Sequence, residues 1–250
     1  MKFPIALQPY TIREEMAQDY AGSLEKVAAI GYKGVELSTP PEGMSVGEVK
    51  QILERTGLQV IGAHCSLEQL TSGLDELSAY LHEVGGTYAA LSYKFDSKQH
   101  VLEMAKRFNE IGENCRKHQI QFLYHNHNWE FDQFDGESVL DILLRETDPE
   151  LVKLELDVYW VKRAGIEPAD YLRKLKDRCP LLHIKDMEAG EEQFFAEIGE
   201  GILDFREIAS VAEEIGTKWL VVEQDLSRRA AMESIAISYR NLGKLDLIQE

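Results

Sequence analysis

Two histidines lie two residues apart in the stretch of this sequence that carries the clearest chemical signal. Residues 123–131 read LYHNHNWEF, and His125 and His127 follow the apolar lead-in IQFL. Because side chains alternate along a β-strand, both imidazoles would face the same side of a strand here. Imidazole binds metals and exchanges protons near neutral pH. The spacing therefore predicts a metal or proton-transfer site at the end of this strand.

Other apolar runs carry polar residues in the same kind of position. Glu155 and Asp157 lie in VKLELDVYW, His183 and Lys185 in LLHIKD, and Glu223 in WLVVEQD. An ionised group that faces a buried interior is costly unless it is paired or binds a metal. Convergent imidazoles and carboxylates without thiolates favour Mn, Co, Zn or Fe, with Mg also open. Glu155 would lie one layer deeper than the others, and we assign it to an internal salt bridge or hydrogen bond.

The elements that would position these residues are eight short apolar runs that alternate with amphipathic stretches. The runs cover residues 4–8, 34–38, 59–65, 88–93, 121–127, 152–160, 181–186 and 219–225. Near-continuous apolar runs are typical of strands buried on both faces of a parallel sheet. Eight β-then-α units predict a closed (β/α)8 TIM barrel, one domain over residues 1–250, with its chemistry at the C-terminal ends of the strands. The alternative is an open doubly wound sheet, but no GxGxxG follows the first strand.

Composition excludes several classes of function. The net charge of −17 disfavours nucleic acid as a partner. No apolar run reaches the roughly 18 residues of a membrane span, and the N-terminus lacks the pattern of a signal peptide. Three cysteines without a CxxC spacing indicate reduced thiols. These features predict a cytoplasmic protein with no membrane partner.

Five motifs occur in a fixed order: YHNHNWEF, LELDVYW, HIKD, GEGILDF and VVEQD. Together they resemble the xylose isomerase-like TIM barrels, a superfamily of sugar (phosphate) isomerases and epimerases, over essentially the whole chain. The resemblance implies metal ligands from strands five to eight: Glu, Asp, His and Glu. Asp157, His183 and Glu223 match the last three. The fifth strand offers His127 or His125 instead of Glu, and we assign the ligand to His127, which lies nearer the strand end.

The resemblance implies a sugar isomerase or epimerase that removes a proton α to a carbonyl through an enediolate. One divalent metal ion would stabilise that species, with Mn first and Zn, Co or Mg as alternatives. Glu223 would bind the metal and abstract the α-proton, and His125 would act as a base on the opposite face of the substrate. Lys185 would stabilise the oxyanion. Loop 199–201 (GEG) would close over the substrate. The predicted substrate-binding residues are Glu36, His64, Trp129, Glu130, Trp160 and Glu200.

The same machinery would also serve a lyase or hydratase that acts on 3-keto-glycosides, and a sugar-binding barrel without activity is a further alternative. An endonuclease IV-like nuclease would need a richer zinc cluster and a basic surface. Each residue also has a structural alternative: His183 as a hydrogen-bonded core residue, for example, or Glu223 as the ion-pair partner of Lys185. The predicted partner is a small sugar or sugar derivative, and a homodimer or homotetramer is possible for this family.

Overall fold

The computed structural model describes residues 2–249 and contains a closed barrel of eight parallel strands. Each strand pairs with its neighbours along the chain, and the first strand closes the barrel against the last. This arrangement confirms the predicted TIM barrel. The barrel strands are β1 (Ile5–Leu7), β2 (Gly34–Glu36), β3 (Gln59–His64), β4 (Tyr88–Leu91), β5 (Gln121–His125), β6 (Val152–Asp157), β7 (Leu181–Ile184) and β8 (Trp219–Val222).

Helices connect the strands and cover the outside of the barrel. Two short antiparallel pairs, 133–134 with 137–138 and 186–187 with 195–196, lie in the connections after β5 and β7. None of the helices described between residues 2 and 249 is long and apolar enough to cross a bilayer. The helices are α1 (Arg13–Gln18), α2 (Tyr20–Ile30), α3 (Val46–Thr56), α4 (Leu74–Val84), α5 (Lys98–Lys117), α6 (Val139–Glu146), α7 (Val158–Arg163), α8 (Pro168–Arg173), α9 (Phe205–Glu214) and α10 (Ala231–Lys244).

Local sequence signals explain where these helices begin, end and pack. Helix α3 begins with a capping box, in which Ser45 and Glu48 bind each other's backbone N–H groups. The same helix ends at Gly57, whose φ of 71° is the left-handed conformation that glycine adopts without strain. Helix α5 buries the apolar face predicted from its spacing against the barrel: Val101, Met104, Phe108, Ile111 and Cys115.

All eight strands end earlier than the apolar runs that predicted them, and two of these ends shape the site. Strand β5 ends at His125, and β6 ends at Asp157. The Asp157 carboxylate accepts the backbone N–H groups of Tyr159 and Trp160, so it caps α7 and turns the chain out of the sheet. Trp160 therefore lies in the first turn of a helix and not in a strand.

The barrel interior has an apolar floor beneath a polar upper layer. The floor consists mainly of small and medium side chains from six strands: Ala6, Ile61, Ala90, Leu123, Leu181 and Val221. Polar side chains fill the C-terminal end of the barrel above it. Because the floor and the surrounding helices exclude water, charges in the upper layer interact more strongly than they would at the surface.

Candidate active site

Four side chains from consecutive strands converge at the C-terminal end of the barrel. Their ligand atoms all lie within 4.8 Å of one another, and the group consists of His125, Asp157, His183 and Glu223. All four residues are buried. They lie within one residue of the ends of β5, β6, β7 and β8. We call this group the ligand quartet, since two imidazoles and two carboxylates form the mixed donor set that divalent transition metals accept.

His127, the residue first assigned to the fifth-strand ligand, lies outside this quartet. It follows the end of β5 in a loop, where its ring stacks on Trp129 at 4.0 Å with an interplanar angle of 11°. Its backbone N–H donates to Glu130 Oε2 at 2.8 Å, which holds the loop in its turn. Strand alternation no longer applies beyond His125, so the two imidazoles do not act as a pair. The geometry supports His125, not His127, as the fifth-strand donor.

The Glu155 carboxylate contacts three imidazoles, two of which belong to the quartet. Its Oε2 lies 2.6 Å from His64 Nε2, 2.9 Å from His125 Nδ1 and 3.3 Å from His183 Nε2. Burial raises the pKa of Glu155, but the charges of His183 and His64 outweigh it and bring the pKa well below its usual range. The carboxylate is therefore ionised, and its Oε1 atom is buried without a hydrogen-bond partner.

Against the effect of burial, the interaction with Glu155 raises the pKa of His64. Burial lowers the pKa of His64, yet the charge and hydrogen bond of Glu155 more than reverse this and raise the pKa to about 9. His125 shares Glu155, but there burial dominates and lowers the pKa to about 4. At neutral pH the site thus holds a protonated His64 beside a neutral His125. A neutral imidazole is the form that ligates metals.

Glu36 connects the quartet to the segment after β1. Its Oε2 accepts a hydrogen bond from Gln8 Nε2 at 2.8 Å and lies 2.9 Å from His183 Nε2. Burial, followed by the charge of Glu155, raises the pKa of Glu36 to about 7. The other ring nitrogen of His183, Nδ1, lies 2.9 Å from Glu223 Oε2. His183 is therefore held between two carboxylates, which fixes the orientation of its ring.

Lys185 supplies a buried positive charge. Its ammonium forms ion pairs with Asp157 Oδ2 at 3.0 Å and Glu223 Oε2 at 2.8 Å, and donates a hydrogen bond to Asp225 Oδ2 at 2.7 Å. Burial lowers the pKa of Lys185, but the charges of Asp157, Glu223 and Asp225 raise it well above its usual value. Asp225 was missed from sequence, although it follows Glu223 by two residues in the VVEQD motif; it lies beyond the end of β8, where strand alternation does not place a side chain.

The site contains more buried negative than positive charge. A divalent cation fits this imbalance and the donor set of the quartet, because buried charges need compensation. The positive groups are the buried Lys185 and the imidazoles of His64 and His183, whose pKa values the neighbouring carboxylates raise despite burial. Against these three groups stand five carboxylates: Glu36, Glu155, Asp157, Glu223 and the partly exposed Asp225.

Aromatic side chains form one wall of the site. Trp129 follows β5, and Lys94 Nζ lies over its ring, 4.4 Å from the centroid. Trp160 approaches Lys185, whose Nζ lies 5.5 Å from the indole centroid, and His127 lies between the two tryptophans at 4.0 and 5.5 Å. Such rings present flat apolar faces on which the C–H faces of sugars can pack.

The sequence profile of the family described as xylose isomerase-like TIM barrel matches residues 24–241. The chain belongs to this family. It is 24% identical over 246 residues to an inosose dehydratase of Lacticaseibacillus casei, with 81% of each chain covered. A sugar phosphate isomerase/epimerase structure from Parabacteroides distasonis superposes with a TM-score of 0.84 at 24% identity, covering 96% of this chain and 97% of that one. A probable 3-DHS dehydratase from Bacillus anthracis superposes with a TM-score of 0.76 at 15% identity, covering 97% and 99%.

These relatives define the kind of protein at a coarse level. The chain is an enzyme of the sugar isomerase/epimerase or related lyase kind, and the Lacticaseibacillus casei relative is named inosose dehydratase. The structural likenesses, at below 25% identity, establish the fold.

Two predicted substrate-binding residues of this xylose isomerase-like barrel have other positions. Glu130 is fully buried, accepts the Tyr124 hydroxyl at 2.6 Å and the His127 N–H at 2.8 Å, and so supports the loop after β5. Glu200 pairs with Arg229 at 3.2 Å near the rim of the barrel. Neither contact supports a role in binding substrate hydroxyl groups. The sequence could not place Glu130 in these contacts, because a glutamate just past a strand end does not reveal which way the following loop folds.

The GEG loop is also anchored rather than free to close. The Asp186 carboxylate accepts backbone N–H groups of Gly199 and Gly201 at 2.9 Å each and of Leu203 at 3.1 Å. It also accepts its neighbour Met187 N–H at 2.8 Å. Four donors on one carboxylate fix the loop to the end of β7. The Asp of the HIKD motif is thus a structural anchor, and the expected closure of this loop finds no support.

Replacing Gly201 by Ala is expected to lower the free energy of unfolding by roughly 2–3 kcal/mol. A Cβ at this position would overlap Asp186 Oδ1 and the Met187 carbonyl, so the anchored loop would have to move. Gly47→Ala is the matched control, because its Cβ would lie 4.0 Å from the nearest atom, Ser45 Oγ. That change should be neutral or stabilising by up to ~1 kcal/mol. Urea denaturation of both variants measures the difference, and equal stabilities would contradict the anchoring.

Proposed function

We propose that this protein is a divalent-metal-dependent lyase that removes water or an alcohol from a keto-sugar or keto-polyol. The reaction begins with loss of the proton α to the ketone and ends with departure of the β-oxygen substituent. The observation that carries the proposal is the position of His64: it lies outside the ligand quartet, its side chain is 30% exposed, and its Nε2 is 2.6 Å from the buried Glu155 carboxylate. The homology to inosose dehydratases over 81% of the chain gives it independent support.

The ligand quartet would hold the metal, with His125 in the place first assigned to His127. Manganese is our first choice, and the donor set equally accommodates Zn or Co, whereas Mg fits it less well. When bound, the ion supplies Lewis acidity that polarises the substrate ketone. Glu155 orients His125 through its Nδ1 atom at 2.9 Å, so His125 presents Nε2 to the metal position.

Glu223 is the proposed base as well as a ligand. Burial raises its pKa, but Lys185 and His183 bring the pKa well below its usual value, so the carboxylate is ionised. The contacts to His183 and Lys185 both run through Oε2. Oε1 is therefore the atom that can accept the α-proton. Lys185 stabilises negative charge that develops on the substrate oxygen, because it is the permanent cation nearest to Asp157 and Glu223.

His64 is the proposed acid. Its side chain is 30% exposed, which gives it access to the mouth of the barrel, while Glu155 keeps it protonated at neutral pH. Elimination needs a proton at the departing oxygen, and a positioned acid typically contributes ~10² to 10⁴ in rate. Trp160 would pack against the C–H face of the substrate ring, and Glu36 would accept a substrate hydroxyl. Trp129, whose ring is covered by His127 and Lys94, would support this wall from behind.

The isomerase or epimerase reaction remains the alternative, because it shares the first proton transfer. The products separate the two reactions. The Mn-loaded protein is incubated in D₂O with an inosose and, separately, with a 3-keto-glucoside, and NMR follows the substrate carbons. An enone together with released water or alcohol supports the lyase. An epimer or isomer that retains every substituent supports the alternative, and no turnover of either compound with any tested metal overturns both.

A further inference from the structure

A cleft lies beside the ligand quartet, between the segments that follow β1 and β2. Its volume is about 360 Å³, which is in the range of small-molecule sites. Helix α1 and the start of α2 form its outer side. The lining residues on which the argument depends are Gln8, Tyr10, Arg13, Met16, Tyr20 and Glu36.

The floor of this cleft is part of the catalytic network. Gln8 and Glu36 line the cleft, are 8% and 3% exposed, and hydrogen bond to each other at 2.8 Å. Glu36 Oε2 also lies 2.9 Å from His183 Nε2 and 3.6 Å from His64 Nε2. The cleft therefore opens onto the side of the site that carries the proposed acid.

The walls of the cleft are apolar and aromatic. Tyr10 is 52% exposed, although large hydrophobic side chains are usually covered in the described part of the chain, and Met16 and Tyr20 face the same space. Arg13 is the only basic residue among the described residues that line it. Its Nη1 donates to the carbonyls of Tyr10 and Asp225 at 2.9 and 3.1 Å, and its guanidinium covers one face of the Tyr10 ring at 4.3 Å.

This chemistry favours an uncharged ring. Arg13 already donates from Nη1 to two carbonyls and covers the Tyr10 ring, and Glu36 at the floor disfavours an anion, so an uncharged group fits the cleft better than a phosphate. Tyrosine and methionine side chains instead offer contact area to the flat face of an aryl or sugar ring. A volume of about 360 Å³ accommodates one such ring with its substituents.

We propose that this cleft binds the leaving group of the substrate, an uncharged ring attached to the β-oxygen, and we name it the leaving-group cleft. The inference rests on the proposed lyase function and narrows its substrate to keto-glycosides. Glu223 takes the α-proton, the electron pair of the C–H bond forms the new C=C bond, and the C–O bond breaks. His64 gives its proton to the departing oxygen, so an enone and a neutral ring-bearing alcohol or phenol result.

The position of the acid explains why the leaving group, and not another part of the substrate, occupies the cleft. His64 Nε2 is hydrogen-bonded to Glu155 at 2.6 Å, so Nδ1 is the nitrogen left to protonate a substrate oxygen. Because Nε2 also lies 3.6 Å from Glu36 Oε2 at the cleft floor, the His64 ring borders the cleft, and we place that oxygen at its entrance. Whatever that oxygen carries then extends along Gln8 towards Tyr10. The ketone-bearing ring stays on the opposite side, between the quartet and the indole of Trp160.

The test compares leaving groups in the Mn-loaded full chain. The substrates are the methyl, phenyl and 4-carboxyphenyl 3-keto-β-glucosides and 3-keto-cellobiose, and the variants are Tyr10→Ala and Leu226→Ala. Wild type should use the glucosyl compound at least 10-fold better than the methyl one. Tyr10→Ala should reduce this kcat/KM ratio about 10-fold, mainly through KM. Phenol is also a better leaving group than methanol, so the phenyl preference counts only through its change in Tyr10→Ala. Leu226 is 53% exposed but does not line the cleft, so its variant should keep the wild-type ratio.

The outcomes separate this proposal from the proposed function. A larger fall of the phenyl/methyl or of the glucosyl/methyl ratio in Tyr10→Ala tells which ring the cleft takes, and either result supports the inference. Equal use of methyl and ring-bearing substrates, better use of the 4-carboxyphenyl compound, or an unchanged ratio in Tyr10→Ala overturns it while elimination itself stands. If no compound is eliminated, the lyase fails. The Kd of unreactive phenyl β-glucoside then tests the cleft separately. Tyr10→Ala should weaken this binding about 10-fold, and an unchanged Kd rejects the cleft.

Discussion

Asp157→Asn is expected to abolish binding of the divalent metal and to lower kcat/KM by at least ~1,000-fold, about 4 kcal/mol in transition-state stabilisation. The substitution replaces a buried carboxylate of the quartet by a neutral amide, which is a weaker ligand. Asparagine still caps helix α7, since its Oδ1 can accept the N–H groups of Tyr159 and Trp160 as Asp157 does. Metal content by inductively coupled plasma mass spectrometry and steady-state kinetics measure the two effects.

Asp204→Asn is the matched control for this experiment. Asp204 Oδ1 caps α9 through the N–H groups of Arg206 and Glu207, the same pattern, but on the outside of the barrel. The control should keep both metal and activity. Thermal unfolding adds a second readout, because a ligand that binds only the folded state raises Tm for wild type and the control but not for Asp157→Asn. Full metal content in Asp157→Asn would contradict the assignment of the quartet.

The fold could be predicted from sequence because each strand is short and apolar, and an amphipathic helix separates it from the next strand. The eight predicted runs each contain one barrel strand, and their starts differ from the observed starts by at most one residue. Their ends were less certain. A run such as residues 121–127 continues beyond the strand, since apolar and aromatic side chains also pack the first turn of a loop. Hydrophobic periodicity records burial, and burial does not stop where the strand stops.

This uncertainty at strand ends decided which parts of the site could be predicted. Asp157, His183 and Glu223 lie at or within one residue of strand ends, so alternation placed them together correctly in space. His127 lies two residues past the end of β5, where the loop turns towards Glu130. The connection of Glu155 to His64 joins β6 to β3 across the barrel. Nothing in the order of residues along the chain specifies such a contact, because barrel closure alone brings these strands opposite each other.

His64→Gln is expected to lower kcat for elimination of a poor leaving group, such as methanol from a methyl 3-keto-glucoside, by ~10² to 10³-fold. Glutamine is similar in polarity to the imidazole and can still hydrogen bond to Glu155, which lies 2.6 Å from His64 Nε2, but it cannot deliver a proton. A substrate with 4-nitrophenol as leaving group should lose less than ~10-fold, because this phenol departs readily as an anion and needs little acid assistance. Kinetics with both substrates measure the difference.

The dependence on the leaving group distinguishes an acid from a residue that only shapes the site, since a structural defect would slow both substrates equally. His118→Gln is the control: its Nε2 lies 3.5 Å from Asp75 Oδ1, so it too faces a carboxylate, but on the helices outside the barrel. Metal content provides a further discriminating readout. His64 also belongs to the second group of potential ligands, with His125, Glu155 and His183. Loss of the metal in His64→Gln would therefore move the ion from the quartet to that group and remove His64 from the role of acid.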